Sequence, residues 1–504
     1  MNDMSALPRF TRPDFNQQFG QFIDGEWVEG ATGETIALMN PATGEKLADI
    51  AKGDARDADR AVTAAHRAFG SWRESPPELR QELLLEIARR VEARRADYAV
   101  LETLNNGKPV MEAFMHDIPG VIELFRVHAG IAWDLGGTTI DRTNSVSLIH
   151  RQPLGVCAQI IPWNVPMLMM ALKVAPALAT GNTIVLKPSE IVSLSVMEFF
   201  REMADLIPRG VVNVLTGQGP DVGEALVTDH RVRKVSFTGS KRTARELMKY
   251  ASVNIIPQSL ELGGKSAVVI CEDADLEAAA ESCAASTVFN KGEVCVAGSR
   301  IFAHEKIREE FLDIYSAMLN SVRIGNPLDV HTQMGASASK MQMDKVLGYL
   351  DLGPKEGATL HLSGGRATGG ELDQGMYLKP AIFTGVHNQM TIAREEIFGP
   401  VSLVYGWTDE HDVVEQANDT EFGLAAGVWT RDLGRAHRLT RNLEAGIVWV
   451  NRYFNFVGGA SAGPFHGSGF GREFGREAAL ESYTHSKLVT INLDERPLGF
   501  FNWK

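Results

Sequence analysis

One cysteine of this chain has the surroundings of a nucleophile. Residues 289–295, Phe-Asn-Lys-Gly-Glu-Val-Cys, follow a helix-like run and place Cys295 on a glycine-containing loop. A thiol on such a loop can face a pocket, and its thiolate form is nucleophilic. Cys157 and Cys271 lie in apolar, strand-like runs and are predicted to be buried core thiols, whereas Cys283, on an alanine-rich helix, is ambiguous. Cys295 is therefore the predicted nucleophile.

Two other segments carry groups that covalent acyl transfer requires. Glu261 is followed by Gly263 and Gly264, which let the backbone approach a ligand and leave the carboxylate accessible as a general base for water. Asn164 stands between two prolines, whose fixed φ angles preorganise its amide as an oxyanion donor. Without such roles, Glu261 would be a charged strand end and Asn164 a turn residue. A nucleophile, a base and an oxyanion donor can thus come from three separate segments.

The bulk properties narrow the class of protein. The chain has 504 residues, 44% of them hydrophobic, which predicts more than one domain with large cores. Its net charge of −13 is spread along the sequence without a lysine and arginine stripe, which argues against nucleic acid as a partner. Four cysteines indicate no disulfide scaffold and a reducing compartment. The thirteen histidines are scattered and no Cys-x-x-Cys occurs, so no metal site is predicted.

Two segments bear on targeting. Residues 1–10 have no apolar core of the signal-peptide kind. The uncharged run 154–172 is long enough to raise the question of a membrane span, but Pro162, Asn164 and Pro166 in its middle favour a buried strand, a rigid turn and a buried helix. The sequence predicts a cytoplasmic protein with no membrane segment.

The chemistry-bearing segments are placed by alternating strands and helices, which predict mostly parallel sheets covered on both faces. The first series starts near residue 154, with predicted strands at 155–161, 183–187, 211–215 and 234–237 and helices at 167–179, 193–206, 222–227 and 243–250. Helical runs 58–72 and 77–104 are assigned to the same domain.

A second series starts near residue 266 and predicts a second α/β domain. Its predicted strands are 267–270, 300–303, 381–384, 427–430 and 447–450, with a helix at 306–321. Residues 261–265 lie at the junction of the two domains, and catalytic clefts favour such junctions. The glycine-rich stretch 351–376 is predicted to be a surface loop, and residues 138–152 and 487–492 are strand-like but fit neither domain.

Three loops follow predicted strands of the first sheet and could hold a cofactor. Residues 217–223 have a spacing one residue longer than G-x-G-x-x-G, so an ordinary strand-to-helix loop is an equal alternative there. Residues 237–240 precede a helix, whose backbone N–H groups suit a pyrophosphate. Residues 187–190, Lys-Pro-Ser-Glu, are the third loop and would otherwise be a solvated turn.

With these residues together, the sequence resembles the aldehyde dehydrogenase superfamily from about residue 22 to about residue 489. The resemblance implies an α/β fold with a Rossmann-like NAD-binding domain (1–134 and 154–263), a second, catalytic α/β domain (264–466) and a small β extension (135–153 and 481–504). In the family such an extension carries subunit contacts, so a homodimer or homotetramer is expected. The implied reaction oxidises an aldehyde to the carboxylic acid with NAD, through a thiohemiacetal and a thioester on Cys295.

The resemblance also implies residue roles. Asn164 and the Cys295 backbone N–H would hold the oxyanion, Glu261 would deprotonate the hydrolytic water, and Glu473 would assist proton transfer. Related enzymes that pass the acyl group to coenzyme A lack the glutamate at 261. The Glu190 carboxylate would accept from both adenosine ribose hydroxyls and repel a 2′-phosphate, which predicts NAD as the cofactor. The cofactor-binding residues implied are Ile160, Pro162, Trp163, Lys187, Ser189, Glu190, Gly217, Gly219, Phe237, Gly239, Ser240, Leu262, Gly263, Glu396 and Phe398.

Substrate specificity is less transferable, because the chain departs from the family pattern. The run 464–473 is shorter than in many members, the loop 451–463 is longer, and Glu293 stands where Gln is common. We expect the Glu293 carboxylate to point away from the thiol, because a facing carboxylate would raise the thiol pKa. The predicted tunnel residues are smaller than the aromatic side chains common there and favour uncharged aliphatic or aryl aldehydes: Val165, Met169, Leu172 and Val296.

Two alternative functions are compatible with the same residues. One is an acylating or esterase-type use of the same cysteine, and the other is a non-catalytic binding protein on the same fold. Cys295, Glu261, Asn164, Lys187 and Glu396 are all present together, which argues against the second alternative.

Overall fold

The computed structural model describes residues 7–497 and 499–501, so the first six residues of the signal-peptide prediction lie outside it. Within these residues, none of the helices is both long and apolar enough to cross a lipid bilayer. The uncharged run 154–172 is instead a strand (Val156–Ile160), a turn, and the start of a helix (Pro166–Ala179) that opens with proline at its first position.

The first large sheet has five parallel strands at its centre and antiparallel strands at both edges. From one edge to the other its strands are Gly469–Phe470, Gln258–Glu261, Val232–Thr238, Val156–Ile160, Thr183–Lys187, Val212–Val214, Gln21–Ile23 and Glu26–Val28. Its central strands are almost wholly buried, as is usual for parallel strands covered by helices on both faces. The helices of this part are Ala55–Arg73, Pro77–Ala93, Arg95–Asn106, Val110–Glu112, Ile118–Ile131, Pro166–Ala179, Leu194–Met203, Gly219–Thr228 and Lys241–Ser252, with a π-helical turn at Ala113–Asp117.

The strand order of this sheet reverses beside Val156–Ile160. The chain first builds outward on one side through Thr183–Lys187 and Val212–Val214, and then adds Val232–Thr238 and Gln258–Glu261 on the other side. Ligands of open α/β sheets bind at the carboxyl ends of the strands beside such a switch point. Here Ile160 is the register partner of both Lys187 and Phe237, so three predicted cofactor residues lie side by side at that edge.

The second large sheet is parallel except for one edge strand. Its strands, in order, are Thr359–Leu362, Ala381–Thr384, Val401–Trp407, Arg300–His304, Ala267–Ile270, Ala425–Trp429 and Ile447–Val450. Its helices are Leu276–Val288, Arg308–Asn320, Lys340–Lys355, Thr391–Arg394, Glu410–Asn418 and Leu433–Asn442, with 3-10 turns at Phe289–Gly292 and Gly370–Gln374.

A separate three-stranded sheet forms from the two segments that fit neither domain. Thr484–Asn492 follows the helix Gly475–Tyr483 and pairs antiparallel with Ser145–Pro153, which pairs in turn with Thr138–Arg142. The predicted single strand 138–152 is therefore a hairpin that turns at Thr143 and Asn144. Three smaller sheets complete the described strands. In one, Lys46–Ala51 pairs with both Gln18–Phe19 and Thr35–Met39. In the other two, Gly365–Arg366 pairs with Leu378–Lys379, and Phe422–Gly423 pairs with Phe465–His466.

Two predictions of local structure are wrong. Residues 351–376 are not one surface loop, because the helix Lys340–Lys355 runs into them and the strand Thr359–Leu362 lies within them. The glycines suggested a loop, but this segment includes the end of a helix in which Leu350 and Gly353 are buried against the second sheet. The helical run 77–104 is two helices, which are separated at Arg94.

Candidate active site

Cys295 lies at the end of a strained loop between the two large sheets. The helix Leu276–Val288 ends in the 3-10 turn Phe289–Gly292, where Asn290 (φ 45°), Lys291 (φ 60°) and Gly292 (φ 72°) are all left-handed. That conformation costs roughly 1–2 kcal/mol for a residue with a Cβ. A Cβ at position 292 would collide with the backbone of Gly399, so only glycine fits there.

The exposure of the four cysteines singles out the same residue. Cys295 is half-buried, whereas Cys157, Cys271 and Cys283 are buried, and all four are free. Cys157 and Cys271 are buried as predicted, and Cys283 is buried in the hydrophobic cluster around the second large sheet.

The segment after Glu261 brings two other parts of the site into contact. Glu261 ends the strand Gln258–Glu261, and the following glycines allow close approach. A Cβ on Gly263 would overlap the Glu396 carboxylate, and a Cβ on Gly264 would overlap the carbonyl of Cys295. Glu396 also accepts a hydrogen bond from the Gly264 N–H at 3.0 Å. The two glycines therefore seat the loop of Cys295 and the segment of Glu396 against the end of the first sheet.

Asn164 reaches the loop of Cys295 with its side chain. Its Nδ2 donates to the carbonyl oxygen of Glu293 at 2.9 Å. Its own carbonyl accepts from Nδ2 of Asn290 at 2.9 Å and from Nδ2 of Asn106 at 3.1 Å. Asn164 is thus held from two sides, and one Nδ2 hydrogen remains for a further acceptor.

Glu261 belongs to a cluster of buried charges. Burial, together with the charge of Glu473, raises the pKa of Glu261 well above the usual carboxyl range, and the Lys173 ammonium opposes this shift. Lys173 is fully buried and donates to Glu473 at 2.7 Å and to the Ser236 hydroxyl at 3.1 Å. A carboxylate whose pKa is raised towards neutrality is a better proton acceptor at working pH than an ordinary one.

The surroundings of Cys295 favour its protonated form. Burial, followed by the charges of Glu396 and Glu261, raises the pKa of this thiol to about 12, and the backbone N–H groups of Val296 and Cys295 oppose the shift. Formation of the thiolate therefore requires a proton acceptor or a nearby positive charge. Glu293 does not face the thiol: its carboxylate accepts from the Ala338 N–H and lies 3.1 Å from the Lys291 ammonium.

The cofactor candidates line the carboxyl edge of the first sheet. Lys187 ends a strand, and its Nζ donates to the Glu190 carboxylate and to the Pro188 carbonyl, both at 3.1 Å. Ser240 caps the helix Lys241–Ser252 and accepts from the Thr243 N–H at 3.2 Å. The Gly239 backbone lies against the Phe237 ring, where a Cβ would collide.

The remaining cofactor candidates come from loops around that edge. Gly217 (φ 149°) packs against the backbone of Gly53, and Gly219 opens the helix Gly219–Thr228. Trp163 meets Phe398 edge to face at 5.4 Å, which joins the turn of Asn164 to the segment of Glu396. Ile160, Ser189 and Leu262 are buried, whereas Pro162 is half-buried.

Comparison with known proteins identifies the family. The model of the aldehyde dehydrogenase family matches residues 27–489. The chain belongs to the aldehyde dehydrogenase family. Aldehyde dehydrogenase B of Escherichia coli is 42% identical over 493 residues, which cover 96% of each chain. Acetaldehyde dehydrogenase 2 of Cupriavidus necator is 41% identical over 495 residues, which cover 97% of each chain.

Solved structures agree with this assignment. Betaine aldehyde dehydrogenase from Staphylococcus aureus in complex with NAD+ has a TM-score of 0.93 and 37% identity, and the match covers 96% of each chain. The predicted α/β fold class of the aldehyde dehydrogenase family is confirmed.

The predicted substrate residues of this family member lie in two segments. Val165 and Met169 are half-buried at the start of the helix Pro166–Ala179, whereas Leu172 and Val296 are buried. The loop of Cys295 also makes aromatic contacts that the sequence did not indicate. Phe289, the first residue of the loop of Cys295, contacts His116 at 5.4 Å and Phe454 at 5.5 Å between ring centres.

Three further residues that build the site were missed from the sequence: Lys173, Asn106 and Lys291. Lys173 had a visible signal, because it is the only charge in the apolar helix Pro166–Ala179. A charge inside a buried helix is retained only with a partner. Asn106 and Lys291 gave no such signal, because their partners lie in distant segments.

Proposed function

We propose that the protein oxidises an aldehyde to the carboxylic acid with reduction of NAD+, by way of a thiohemiacetal and a thioester on Cys295. The family membership supports this reaction. The single observation that carries it is the convergence of Cys295, Glu261 and Asn164 from three segments at the junction of the two sheets. The acylating, esterase-type and binding alternatives are not favoured.

In the first half-reaction Cys295 attacks the aldehyde carbon. The thiol proton must leave to water before the attack, because only the thiolate is nucleophilic and the pKa of this thiol is raised. The carbonyl oxygen becomes an oxyanion, which the free Nδ2 hydrogen of Asn164 and the Cys295 N–H would stabilise. A preset donor of this kind is typically worth about 3 kcal/mol.

In the second half-reaction the thioester is hydrolysed. Glu261 would take a proton from water, so that hydroxide attacks the acyl carbon and the thiolate of Cys295 leaves. Glu473, held by Lys173, would receive or return that proton beside Glu261. The presence of this base favours water over coenzyme A as the acyl acceptor.

The carboxyl edge of the first sheet fits NAD. The helix that begins after Ser240 offers backbone N–H groups to a pyrophosphate. Among the residues that the structure describes, the buried Thr238 hydroxyl beside it has no hydrogen-bond partner, as expected of a group that meets a ligand. Glu190 and Lys187 would bind the adenosine ribose, and Glu396 the nicotinamide ribose. NAD+, when bound, supplies a positively charged nicotinamide that accepts the hydride.

We further propose the domain and subunit organisation. Residues 7–134 and 154–263 would form the NAD-binding domain, and 264–466 the catalytic domain. The three-stranded sheet would carry the contacts of a homodimer or homotetramer, and the exposed Ile140, Leu488 and Ile491 on its strands support this role. Four free cysteines support a reducing, cytoplasmic location. Sedimentation of the purified protein tests the assembly, and a monomer would contradict it.

NADH formation with a panel of aldehydes, with and without coenzyme A, tests the proposed function. We expect NADH and the free carboxylic acid without coenzyme A, and no NADH from Cys295→Ala. An absolute requirement for coenzyme A would indicate an acylating enzyme. Binding of aldehyde or NAD+ without turnover would indicate a binding protein.

A further inference from the structure

Lys291 is a buried lysine beside the nucleophile that the proposed reaction does not use. Its side chain is almost wholly buried, and its backbone is left-handed between Asn290 and Gly292. A buried ammonium at a strained position needs compensating contacts. The contacts of Lys291 all lead towards Asn164.

The Lys291 ammonium makes two hydrogen bonds and one ion pair. Nζ donates to the Asn106 carbonyl at 3.1 Å and to the Asn106 side-chain oxygen. The third neighbour is the Glu293 carboxylate, whose Oε2 lies 3.1 Å away. Burial lowers the pKa of Lys291 and raises that of Glu293, and each charge opposes the shift of the other.

The two partners of Lys291 hold opposite ends of Asn164. Asn106, at the end of the helix Arg95–Asn106, donates its Nδ2 to the carbonyls of Trp163 and Asn164 at 3.0 and 3.1 Å. Glu293 accepts the Asn164 Nδ2 on its backbone carbonyl at 2.9 Å. Lys291 therefore closes a ring of contacts that fixes both the backbone and the side-chain amide of Asn164.

We propose that Lys291 is a positioning residue, whose ammonium holds the Asn164 amide in place for the oxyanion through Asn106 and Glu293. The proposal rests on the proposed function, because Asn164 must serve as the oxyanion donor. An oxyanion donor contributes fully only when its geometry is fixed before the reaction. The ammonium also orients the Asn106 amide, because its bond to the side-chain oxygen leaves Nδ2 facing the turn of Asn164.

Lys291→Met tests the proposal, because it keeps the length of the side chain and removes the charge and the donors. We expect the NADH burst rate to fall by about 10- to 100-fold, since small misplacements of catalytic groups cost up to about 100-fold. The KM for NAD+ should stay within a factor of two or so, because the hydrogen bonds and the ion pair of Lys291 go to Asn106 and Glu293 and not to a cofactor candidate. In an Asn164→Ala background the same substitution should cause no further loss, because Lys291 acts through Asn164.

Lys108→Met is the matched control. Lys108 is an equally buried lysine in the neighbouring cluster, and its ammonium pairs with Asp117 and Glu102, not with Asn106 or Asn164. We expect it to lower the melting temperature without slowing the burst. Equal slowing by both lysine variants, or full additivity with Asn164→Ala, would overturn the proposal.

Asn106→Asp covers the case in which Lys291→Met does not fold. This variant keeps the acceptors of Lys291 but removes the Nδ2 that donates to the Asn164 carbonyl. It should slow the burst as Lys291→Met does, and an unchanged burst would contradict the proposal. Failure of the proposed function is distinguishable, because then the unmodified enzyme itself would show no aldehyde-dependent NADH.

Discussion

Replacing Glu261 with glutamine removes the proposed base for water while keeping the shape of the side chain. Cys295, the Asn164 donor and the cofactor edge remain, so the first half-reaction should continue. We expect a burst of about one NADH per active site, followed by a slow steady rate, because the acyl group leaves Cys295 slowly.

The expected size of the effect follows from the surroundings of Glu261. General-base assistance is typically worth roughly 10²–10⁴ in rate, and it is greatest when the pKa of the base lies near working pH. Burial and Glu473 raise the pKa of Glu261 in that direction, and Lys173 opposes them. The steady rate should therefore fall by about 10²–10⁴. In the unmodified enzyme the deacylation rate should rise with pH as Glu261 loses its proton, and this rise should be absent from Glu261→Gln.

Stability gives a second readout with a defined sign. Because the pKa of Glu261 is raised by folding, the folded protein binds this proton more tightly than the unfolded chain does. The contribution of Glu261 to stability therefore falls as pH rises from the ordinary carboxyl pKa through the raised one. Glu261→Gln lacks this loss, so the melting temperature of the variant should rise relative to that of the unmodified protein as pH rises.

Stopped-flow absorbance of NADH and melting curves at several pH values measure both effects. A Glu261→Gln enzyme that turns over at the unmodified rate would remove Glu261 from the mechanism. A burst that is slowed together with the steady rate would show that Glu261 also takes the proton of Cys295.

Three other substitutions or comparisons test separate parts of the site. NAD+ should be preferred over NADP+, because Glu190 would face a 2′-phosphate. Glu190→Gln should lower the ratio of kcat/KM for NAD+ to kcat/KM for NADP+, and equal use of NADP+ by the unmodified enzyme would refute this prediction. Uncharged aliphatic or aryl aldehydes should have higher kcat/KM values than charged aldehydes, and Val165→Phe should lower kcat/KM most for the bulkier ones. Strong selectivity for a charged aldehyde would contradict the predicted apolar tunnel. Gly263→Ala should raise the KM for NAD+ by about tenfold or more, because its Cβ would displace the Glu396 carboxylate; one tenfold step corresponds to 1.4 kcal/mol. Gly130→Ala, where a Cβ meets open space in the helix Ile118–Ile131, is its control and should leave the KM for NAD+ unchanged.

Much of the fold was predictable because buried parallel strands are short apolar runs bounded by polar residues. Thr183–Lys187, Ala267–Ile270, Ala381–Thr384 and Ile447–Val450 have the bounds that the sequence predicted. The stretch 351–376 was mispredicted, since its glycines masked a helix end and a half-buried edge strand. Two-residue pairings such as Phe465–His466 with Phe422–Gly423 depend on contacts between distant segments, and no local pattern indicates them.

The candidate site also contains residues that the sequence predicts and residues that it does not. Cys295, Glu261 and Asn164 were readable because glycine or proline next to a reactive group has a local conformational consequence. The supporting residues were not readable, since Lys291 and Asn106 are far apart in sequence and meet only in the folded chain. Their proposed roles rest on hydrogen bonds and burial, which the sequence does not display.

The most direct test of the central claim is the mass of the enzyme during turnover. Glu261→Gln, mixed with NAD+ and an aldehyde, should be stopped with acid after the burst and digested, and its peptides weighed. We predict an added acyl group on the peptide that carries Cys295, in an amount equal to the NADH formed, and none on the peptides of Cys157, Cys271 or Cys283. NADH formation without an acyl group on Cys295 would contradict the covalent mechanism.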